Sequence, residues 1–390
     1  MVKATGTGLI KAKEIYQNRK QRARELKAEG KTIIGYLCIY PVLEMLTALD
    51  LVPYRIFGDM GETITSADDY LPTIVCPFLR SVLDLGIKGK YDFLDGVVMA
   101  HICDVGARVS HIWDVAVKTP YSHFIDVPHT DRGTSCERLK DLLQDFRKTL
   151  ETFTGQELTS EKLNEAIELH NRQRELVREL YELKKPDPPL ISGVETLQVM
   201  MAINSIPVEE GNRLLQEVIN EVKERDKSVP QKLARLLLWG PVIDDTVFIE
   251  MIESLDANAV MDDTCVGSRA FFDDVPVTHD PLDGLAHHYL EDIKCPRTFR
   301  ESNKDGVHRG YQADLEARFG YIGKYIKDWN VNGVVLQVPR YCDSHGYEVP
   351  QIKDYLKKIG LPNIYLEHDH NKAALAPLKT RVQGLTEIIG

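Results

Sequence analysis

Short apolar runs alternate with helical patterns near both ends of this chain, and this alternation most constrains how it can fold. In the N-terminal third, strand-like runs rich in β-branched and aromatic residues lie at 32–40, 51–58, 94–100 and 121–128. Helical spacing separates them at 42–51 and 77–89. Strands that alternate with helices in this way predict a parallel sheet covered by helices on both faces.

The pattern becomes purely helical in the middle of the chain and then returns to alternation. Helices are predicted at 136–155, 159–185, 193–204 and 208–226. Later strands are predicted at Ala234–Trp239, Ala257–Met261, Gly333–Val338 and Ile364–Glu367, and a last helix at 375–389. The predicted fold is therefore α/β, with two parallel-sheet domains of flavodoxin-like or Rossmann-like type and an intervening helical insert. The predicted boundaries are an N-terminal helix at 1–30, a first α/β domain at 31–134, the insert at 135–228 and a second α/β domain at 229–390.

Charge and hydropathy narrow the class of protein. The 390 residues carry a net charge of −11 at pH 7, which argues against nucleic acid or an anionic membrane surface as the main partner. No apolar run approaches the roughly 18 residues needed to cross a bilayer, and the N-terminal segment is charged where a signal peptide is apolar. We therefore expect a cytoplasmic protein, in which the seven cysteines are not structural disulfides.

The positions of the cysteines predict a shared site. Cys38, Cys103, Cys265 and Cys342 each fall at or just beyond the C-terminal end of a predicted strand, and Cys76 ends an apolar run. That edge of a parallel sheet is where sites are commonly built, so these thiols are candidate metal ligands. The alternative is that each cysteine is a small buried residue, which is our interpretation of Cys136 and Cys295.

Other chemistries have weaker support. Compact CxxC pairs are absent, which excludes a zinc ribbon and a ferredoxin motif. Gly30-Lys31-Thr32 lacks the first glycine of a phosphate-binding loop, and no GxGxxG follows a strand. A cysteine–histidine hydrolase stays open, although nothing selects one pair among twelve histidines.

Several segments together resemble the 2-hydroxyacyl-CoA dehydratase and benzoyl-CoA reductase family. They are CIYPVLE (38–44), CPFLRS (76–81), LDG (94–96) followed by Cys103-Asp104, WGPVIDD (239–245), DDTCVGSR (262–269) and RYCDSHGYEVPQIKDYL (340–356). The resemblance covers nearly the whole chain in the right order. It is closest to the smaller, cluster-bearing subunit of ATP-dependent benzoyl-CoA reductase.

The resemblance implies a cofactor, partners and a reaction. Cys76, Cys103 and Cys342 would hold a 4Fe–4S cluster at a cleft between the two α/β domains. A separate ATP-hydrolysing activator would receive electrons from ferredoxin and deliver them to this chain. A homologous cluster-bearing subunit would complete the complex. The implied function is transfer of low-potential electrons to an aromatic acyl-CoA of the benzoyl-CoA type, with loss of ring aromaticity.

Reduction of such a substrate also requires protons, and the chain offers candidate donors. Glu44 follows the first strand by one helical turn, and His101 and Asp104 flank Cys103. His345, near Cys342, is a further candidate. The alternatives are a surface carboxylate for Glu44 and helix capping for the others.

Three other functions stay open. The first is radical elimination of water from a 2-hydroxyacyl-CoA, as in the family's dehydratases. The second is a homodimeric reductase of small molecules that holds a double-cubane cluster on six cysteines of one chain. Cys38 and Cys265 are secondary candidate ligands for it, and Cys295 could be the sixth. The third is an assembly subunit that has lost the cluster and catalyses nothing.

Overall fold

Two four-stranded parallel sheets form the framework of the protein. The structure is a computed structural model that describes residues 7–226, 229–303, 307 and 309–390. The first sheet contains β1 Ile33–Tyr36, β2 Val52–Arg55, β3 Gly96–Ala100 and β4 Tyr121–Ile125. The second contains β5 Ala234–Trp239, β6 Ala257–Asp263, β7 Gly333–Pro339 and β8 Asn363–His368. The predicted α/β class is confirmed.

Both sheets have the same strand order. The first runs β2-β1-β3-β4 and the second β6-β5-β7-β8, so the first strand of each half lies between its second and third. All residues of β1, β3, β5 and β7 are buried, which is why these segments are continuous apolar runs in the sequence. In each sheet, successive strands are added first on one side of the first strand and then on the other. Ligands commonly bind outside the carboxyl ends of the strands at such a switch point.

Helices cover the sheets and fill the segment between them. They are α1 Thr7–Gln17, α2 Arg19–Ala28, α3 Leu43–Thr47, α4 Pro77–Ile87, α5 Asp104–Ala116, α6 Ser135–Thr154, α7 Ser160–Glu182, α8 Gly193–Ile203, α9 Val208–Glu224, α10 Thr246–Glu253, α11 Pro281–His287, α12 Tyr311–Asp328, α13 Asp343–Gly346, α14 Val349–Lys358 and α15 Leu375–Ile389. A π-helical turn, His288–Asp292, follows α11 directly. The four helices predicted for the middle of the chain correspond to α6, α7, α8 and α9.

Two local expectations need correction. The N-terminal helix is two helices, because the chain breaks at Asn18, whose φ of −122° and ψ of 42° are not helical. The first strand ends at Tyr36 rather than residue 40, since Cys38 has a left-handed backbone with φ of 74°. In the apolar run before Cys76, Ile74 is 68% exposed, and Cys76 is the N-cap of α4.

The helical segment is part of the main core. One buried apolar cluster includes residues of β5 and β6 together with residues of α7, α8 and α9. Helix α1 packs on α8 and α9, and the backbone N–H of Gly8 donates to Glu221 of α9 at 2.9 Å. Helices α1, α8 and α9 therefore pack together, with α8 against β6 of the second sheet, whereas α6 packs on β4 of the first sheet.

The predicted domain limits fall between elements of secondary structure. The limit at 30/31 lies between α2 and β1, and the limit at 134/135 lies where α6 begins. We propose these as domain boundaries, whereas the limit at 228/229 touches residues outside the described part of the chain. None of the described helices combines the length and the hydrophobicity that a transmembrane span requires.

Candidate metal centre

Six of the seven cysteines line one cleft beside the C-terminal ends of both sheets. They are Cys38, Cys76, Cys103, Cys265, Cys295 and Cys342. The cleft contains about 780 Å³ of unfilled space, part of it open to solvent. The cysteines after β1 and β3 face those after β6 and β7, so the cleft belongs to both halves of the protein.

The first group of thiols is Cys76, Cys103 and Cys342, and each is the N-cap of a helix. The backbone N–H of Gly106 donates to the sulfur of Cys103 at 3.3 Å. Burial raises the pKa of Cys76 and of Cys103 to about 11. Burial also raises the pKa of Cys342, and the neighbouring Cys76 and Cys103 raise it further. These buried thiols resist ionisation unless a cation binds to them.

The second group is Cys38, Cys265 and Cys295. A hydrogen bond with Cys265 lowers the pKa of Cys38, and the same bond together with burial raises that of Cys265. Burial raises the pKa of Cys295. The left-handed backbone of Cys38 is uncommon for a residue with a side chain, and such conformations are concentrated at functional sites.

Arg269 and His345 connect the two groups of thiols. The Nη1 atom of Arg269 lies 3.7 Å from the sulfur of Cys265 and 3.2 Å from Nε2 of His345. Nδ1 of His345 lies 3.8 Å from the sulfur of Cys342. Burial and Arg269 lower the pKa of His345 well below its usual range, so the imidazole is neutral. Because Nε2 accepts from Arg269, the single ring proton is on Nδ1 and faces Cys342.

Two further arginines make hydrogen bonds across the cleft. Arg55, at the end of β2, donates to the backbone oxygen of Cys265 at 2.8 Å. Arg297, from the second half of the chain, donates to the backbone oxygens of His101 and Val127 at 2.6 and 2.8 Å. Both guanidinium groups line the cleft and are buried. Their charges favour thiolates, because a nearby positive charge stabilises the ionised form.

The thiols are not gathered as they would be around a single metal ion. No three of the six cleft sulfur atoms, all from the described part of the chain, lie within 4.8 Å of one another. They are therefore too far apart to surround a single ion such as zinc, whose ligand atoms crowd at about 2.0–2.3 Å from the metal. Thiolates are the usual ligands of iron–sulfur clusters. The donor atoms and the positive surroundings fit such a cluster.

Glu44 lies outside the cleft and is tied to the helical insert. Its carboxylate is completely buried, 2.5 Å from Nη2 of Arg174, and accepts a hydrogen bond from the Tyr289 hydroxyl at 2.8 Å. Burial opposes ionisation, but Arg174 outweighs it and lowers the pKa of Glu44 to about 2. At neutral pH the group is a carboxylate without a proton to give. Its role as a proton donor stays a prediction, and this geometry favours a positioning role.

His101 and Asp104 do not line the cleft either. The side chain of Asp104, the first residue of α5, is 98% exposed. Nδ1 of His101 lies 2.7 Å from Asp126, and its ring packs edge-on against His129 with centroids 4.4 Å apart. Neither side chain lines the cleft, whereas that of His345 does. The catalytic assignments of His101 and Asp104 stay predictions.

A second cavity meets the thiol cleft at Cys38 and Arg55, which line both. Its other walls come from the insert and from the π-helical turn, and they include Gln173, Arg174 and His288. Four buried nitrogen atoms there have no hydrogen-bond partner among the described residues: Nε2 of Gln173, Nε of Arg174 and both ring nitrogens of His288. Donors of this kind can bind the oxygen atoms of a small polar molecule.

The positions of the strand ends predict neither the three arginines beside the cleft nor that Cys295 lines it. Arg55 could have been noticed as a charged residue inside the apolar run LVPYRIFG, and Arg269 as the arginine of DDTCVGSR. Cys295 lies in an irregular segment after the π-helical turn, where no periodic pattern predicts which way a side chain points.

Comparison with known proteins assigns the chain to a family. A family model described as 2-hydroxyglutaryl-CoA dehydratase, D-component, matches residues 38–389. The chain belongs to this family. The predicted family is thereby confirmed, and all six cleft cysteines lie within the matched region.

Members of this dehydratase family that resemble the chain have low identity over most of its length. The beta subunit of (R)-phenyllactyl-CoA dehydratase from Clostridium sporogenes is 22% identical, covering 97% of each chain. A benzoyl-CoA reductase subunit from Thauera aromatica is 24% identical, covering 90% of this chain and 89% of its own. The beta subunit of (R)-2-hydroxyglutaryl-CoA dehydratase from Acidaminococcus fermentans is 21% identical, covering 94% and 95%. These relatives are subunits of enzymes, and they include both dehydratases and a reductase.

Proposed function

We propose that this chain is an iron–sulfur subunit of an ATP-dependent reductase that transfers low-potential electrons to an acyl-CoA substrate. The observation that carries the proposal is the cleft lined by six thiols in two groups, beside neutral His345 and three buried arginines. The name of the benzoyl-CoA reductase relative supports an aromatic acyl-CoA as the substrate. Ferredoxin and an ATP-hydrolysing activator are the proposed electron source.

Cys76, Cys103 and Cys342 are the proposed ligands of a 4Fe–4S cluster. When bound, such a cluster supplies electrons at a potential set by its charge, its hydrogen bonds and its exposure. The N-cap positions of these residues point helix N-termini towards the thiolates, and Gly106 donates directly to Cys103. His345 holds a proton on Nδ1 towards Cys342, and it stays neutral because Arg269 occupies its other nitrogen.

The second group of thiols favours a double-cubane reductase as a second candidate. A subunit with a single cubane needs three cysteines, whereas here Cys38, Cys265 and Cys295 line the same cleft. Cys265 and Cys342 line the same cleft, and Cys265 contributes to the raised pKa of Cys342, which supports a position of the two groups side by side. Six ligands from one chain would allow a homodimer to function without a different cluster-bearing subunit.

The second cavity is the proposed entrance for the substrate. It reaches the thiols at Cys38 and offers the donors of Gln173 and His288 to an acyl carbonyl oxygen. Arg174 is held by Glu44, so the positive charge on that wall is partly compensated. The arrangement suits an uncharged carbonyl group better than a free dianion.

Iron content tests the proposal directly. Iron and acid-labile sulfide are measured per chain after anaerobic purification, for the wild type and for Ser replacements at each cleft cysteine. A double-cubane centre predicts about eight irons, lost on replacement in either group, whereas a single cubane predicts about four that depend only on Cys76, Cys103 and Cys342. Lys148→Ala, at an exposed surface pair, is the control and keeps the iron. Protein without iron would contradict both forms and support an assembly subunit.

A product assay separates the reductase from a dehydratase. With the activator, ATP and a reductant, a reductase consumes electrons in proportion to product. A dehydratase instead converts a 2-hydroxyacyl-CoA to an enoyl-CoA with no net use of reductant. Turnover of 2-hydroxyacyl-CoA without reductant consumption would overturn the proposed reaction but leave the iron–sulfur site intact.

A further inference from the structure

A second group of metal-ligating side chains lies outside the thiol cleft. The ligand atoms of Cys136, His287 and Glu291 all lie within 4.8 Å of one another. Cys136 is in the first turn of α6, His287 ends α11, and Glu291 is in the π-helical turn. None of these residues lines either cavity described above.

The packing of two helices brings this group together from distant parts of the sequence. Helix α11 lies against α6, and Lys140 of α6 pairs with Asp280 and Asp283 at 2.6 and 3.2 Å. His287 and Glu291 are four residues apart on the same face, with Nδ1 and Oε2 separated by 3.1 Å. These ion pairs fasten α11 to α6. The packing of the two helices therefore holds the His287 imidazole and the Glu291 carboxylate beside the Cys136 thiol.

We propose that Cys136, His287 and Glu291 bind a zinc ion. One sulfur, one nitrogen and one oxygen form a donor set that zinc accepts, and ligand atoms in tetrahedral zinc sites lie about 3.3–3.8 Å apart. Here the imidazole and the carboxylate are 3.1 Å apart, and no separation within the group exceeds 4.8 Å, so the three atoms could close on one ion by side-chain movements of about 1 Å. A thiolate and a carboxylate neutralise the charge of the ion, and three protein ligands leave a fourth position for water.

The location indicates what the ion would do. Glu291 lies four residues before Cys295, and the π-helical turn between α11 and Cys295 is a type of irregularity often found at functional sites. A zinc ion at this point joins the first turn of α6 to the segment that delivers Cys295 to the cleft. We expect it to brace that segment, with no direct part in electron transfer.

The first test is the zinc content of the holoprotein. Anaerobically purified full-length protein is dialysed against micromolar zinc without chelators, and zinc and iron are measured in the same sample. The wild type is expected to retain one zinc per chain, and both Cys136→Ser and His287→Ala are expected to lose it while keeping their iron. His279→Ala changes an exposed histidine in the same region and is the matched control. Unchanged iron shows that the variants are folded.

X-ray absorption at the zinc edge identifies the ligands. The wild type is expected to show one sulfur at about 2.3 Å together with lighter atoms at about 2.0–2.1 Å, and Cys136→Ser to lose the sulfur. Zinc bound in the thiol cleft would instead show several sulfur neighbours. Absence of stoichiometric zinc, or zinc that persists unchanged in both variants, would overturn this proposal without affecting the iron–sulfur proposal.

Discussion

At the scale of single residues, buried arginines organise the thiol cleft. Arg269 is completely buried, donates from Nε to Asp263 at 2.9 Å and reaches both Cys265 and His345. Asp263 also accepts a hydrogen bond from the Tyr321 hydroxyl at 2.7 Å. One arginine thus satisfies a buried carboxylate and fixes the ring orientation of the histidine beside Cys342.

We predict that Arg269→Ala lowers the free energy of unfolding by about 3–5 kcal/mol, because it leaves the Asp263 carboxylate buried without its partner. Urea unfolding under anaerobic conditions measures the change. The control is Lys148→Ala, which breaks the exposed pair with Asp145 and should change the stability very little, because water screens such a pair. Equal losses of unfolding free energy from the two substitutions would mean that the buried pair stabilises the protein no more than the exposed one.

At the scale of elements, the cleft depends on close contact between strand ends. Gly240 directly follows β5, and a Cβ atom there would lie 2.1 Å from the backbone oxygen of Gln337 in β7. Because the added Cβ would meet a backbone atom and not a flexible side chain, alanine at position 240 would displace the end of β7. Cys342 follows β7 by three residues, so its position in the cleft would change with it.

We predict that Gly240→Ala destabilises the protein by several kcal/mol, on the scale of overpacked cores, and reduces its iron content. Gly384→Ala is the matched control, because nothing lies within 4 Å of its added Cβ in α15. That change should stabilise the helix by about 0.5–1 kcal/mol. Thermal unfolding and iron analysis of both variants check the prediction, which fails if Gly240→Ala behaves like the control.

The strands and helices were largely predictable because the apolar periods are strong. β5 has the predicted bounds of Ala234–Trp239, and the last helix has the predicted bounds of 375–389. Strand-end logic also brought Cys103, Cys265 and Cys342 to one cleft, as the structure describes. The strand ends could not predict that Cys295 lines the cleft, because its position depends on how α11 packs against α6. Nor could it show that Glu44 pairs with Arg174, a partner 130 residues away.

At the scale of the whole molecule, each group of thiols draws on both halves of the chain. Cys76 and Cys103 from the first half meet Cys342 from the second, while Cys38 from the first half meets Cys265 and Cys295. A cluster bound to each group would therefore link the two sheets at two points. Because metal binding favours the state in which the ligands are assembled, we expect cluster loading to stabilise the folded protein, in which the two halves meet.

A buried ion pair of the second half lies where that half contacts the first. Nε2 of His370, after β8, lies 2.9 Å from Oδ1 of Asp244, and both side chains are buried. The His370 ring packs against Phe78 of the first half and occupies the space that a side chain at Gly58 would fill. Burial alone would lower the pKa of His370, but Asp244, assisted by Asp245 and Asp59, raises it above 6.5.

The raised pKa makes this contact depend on pH in a definite direction. The stability contributed by protonated His370 is complete below the unfolded value of about 6.5 and is lost as the pH rises through the higher folded value. We predict that the difference in unfolding free energy between the wild type and His370→Gln is largest near pH 6 and shrinks towards pH 9. Each unit by which the folded pKa exceeds the unfolded one adds about 1.4 kcal/mol to that difference.

Anaerobic urea unfolding at several pH values between 6 and 9 measures this difference, and His111→Gln, at an exposed histidine, is the control. A difference that does not change with pH would show that His370 acts only through its shape, by packing on Phe78. A difference that grows with pH would reverse the sign and require a neutral histidine in the folded protein. The predicted decrease instead means that a proton on His370 strengthens its pair with Asp244, at the point where the second half packs on Phe78 of the first.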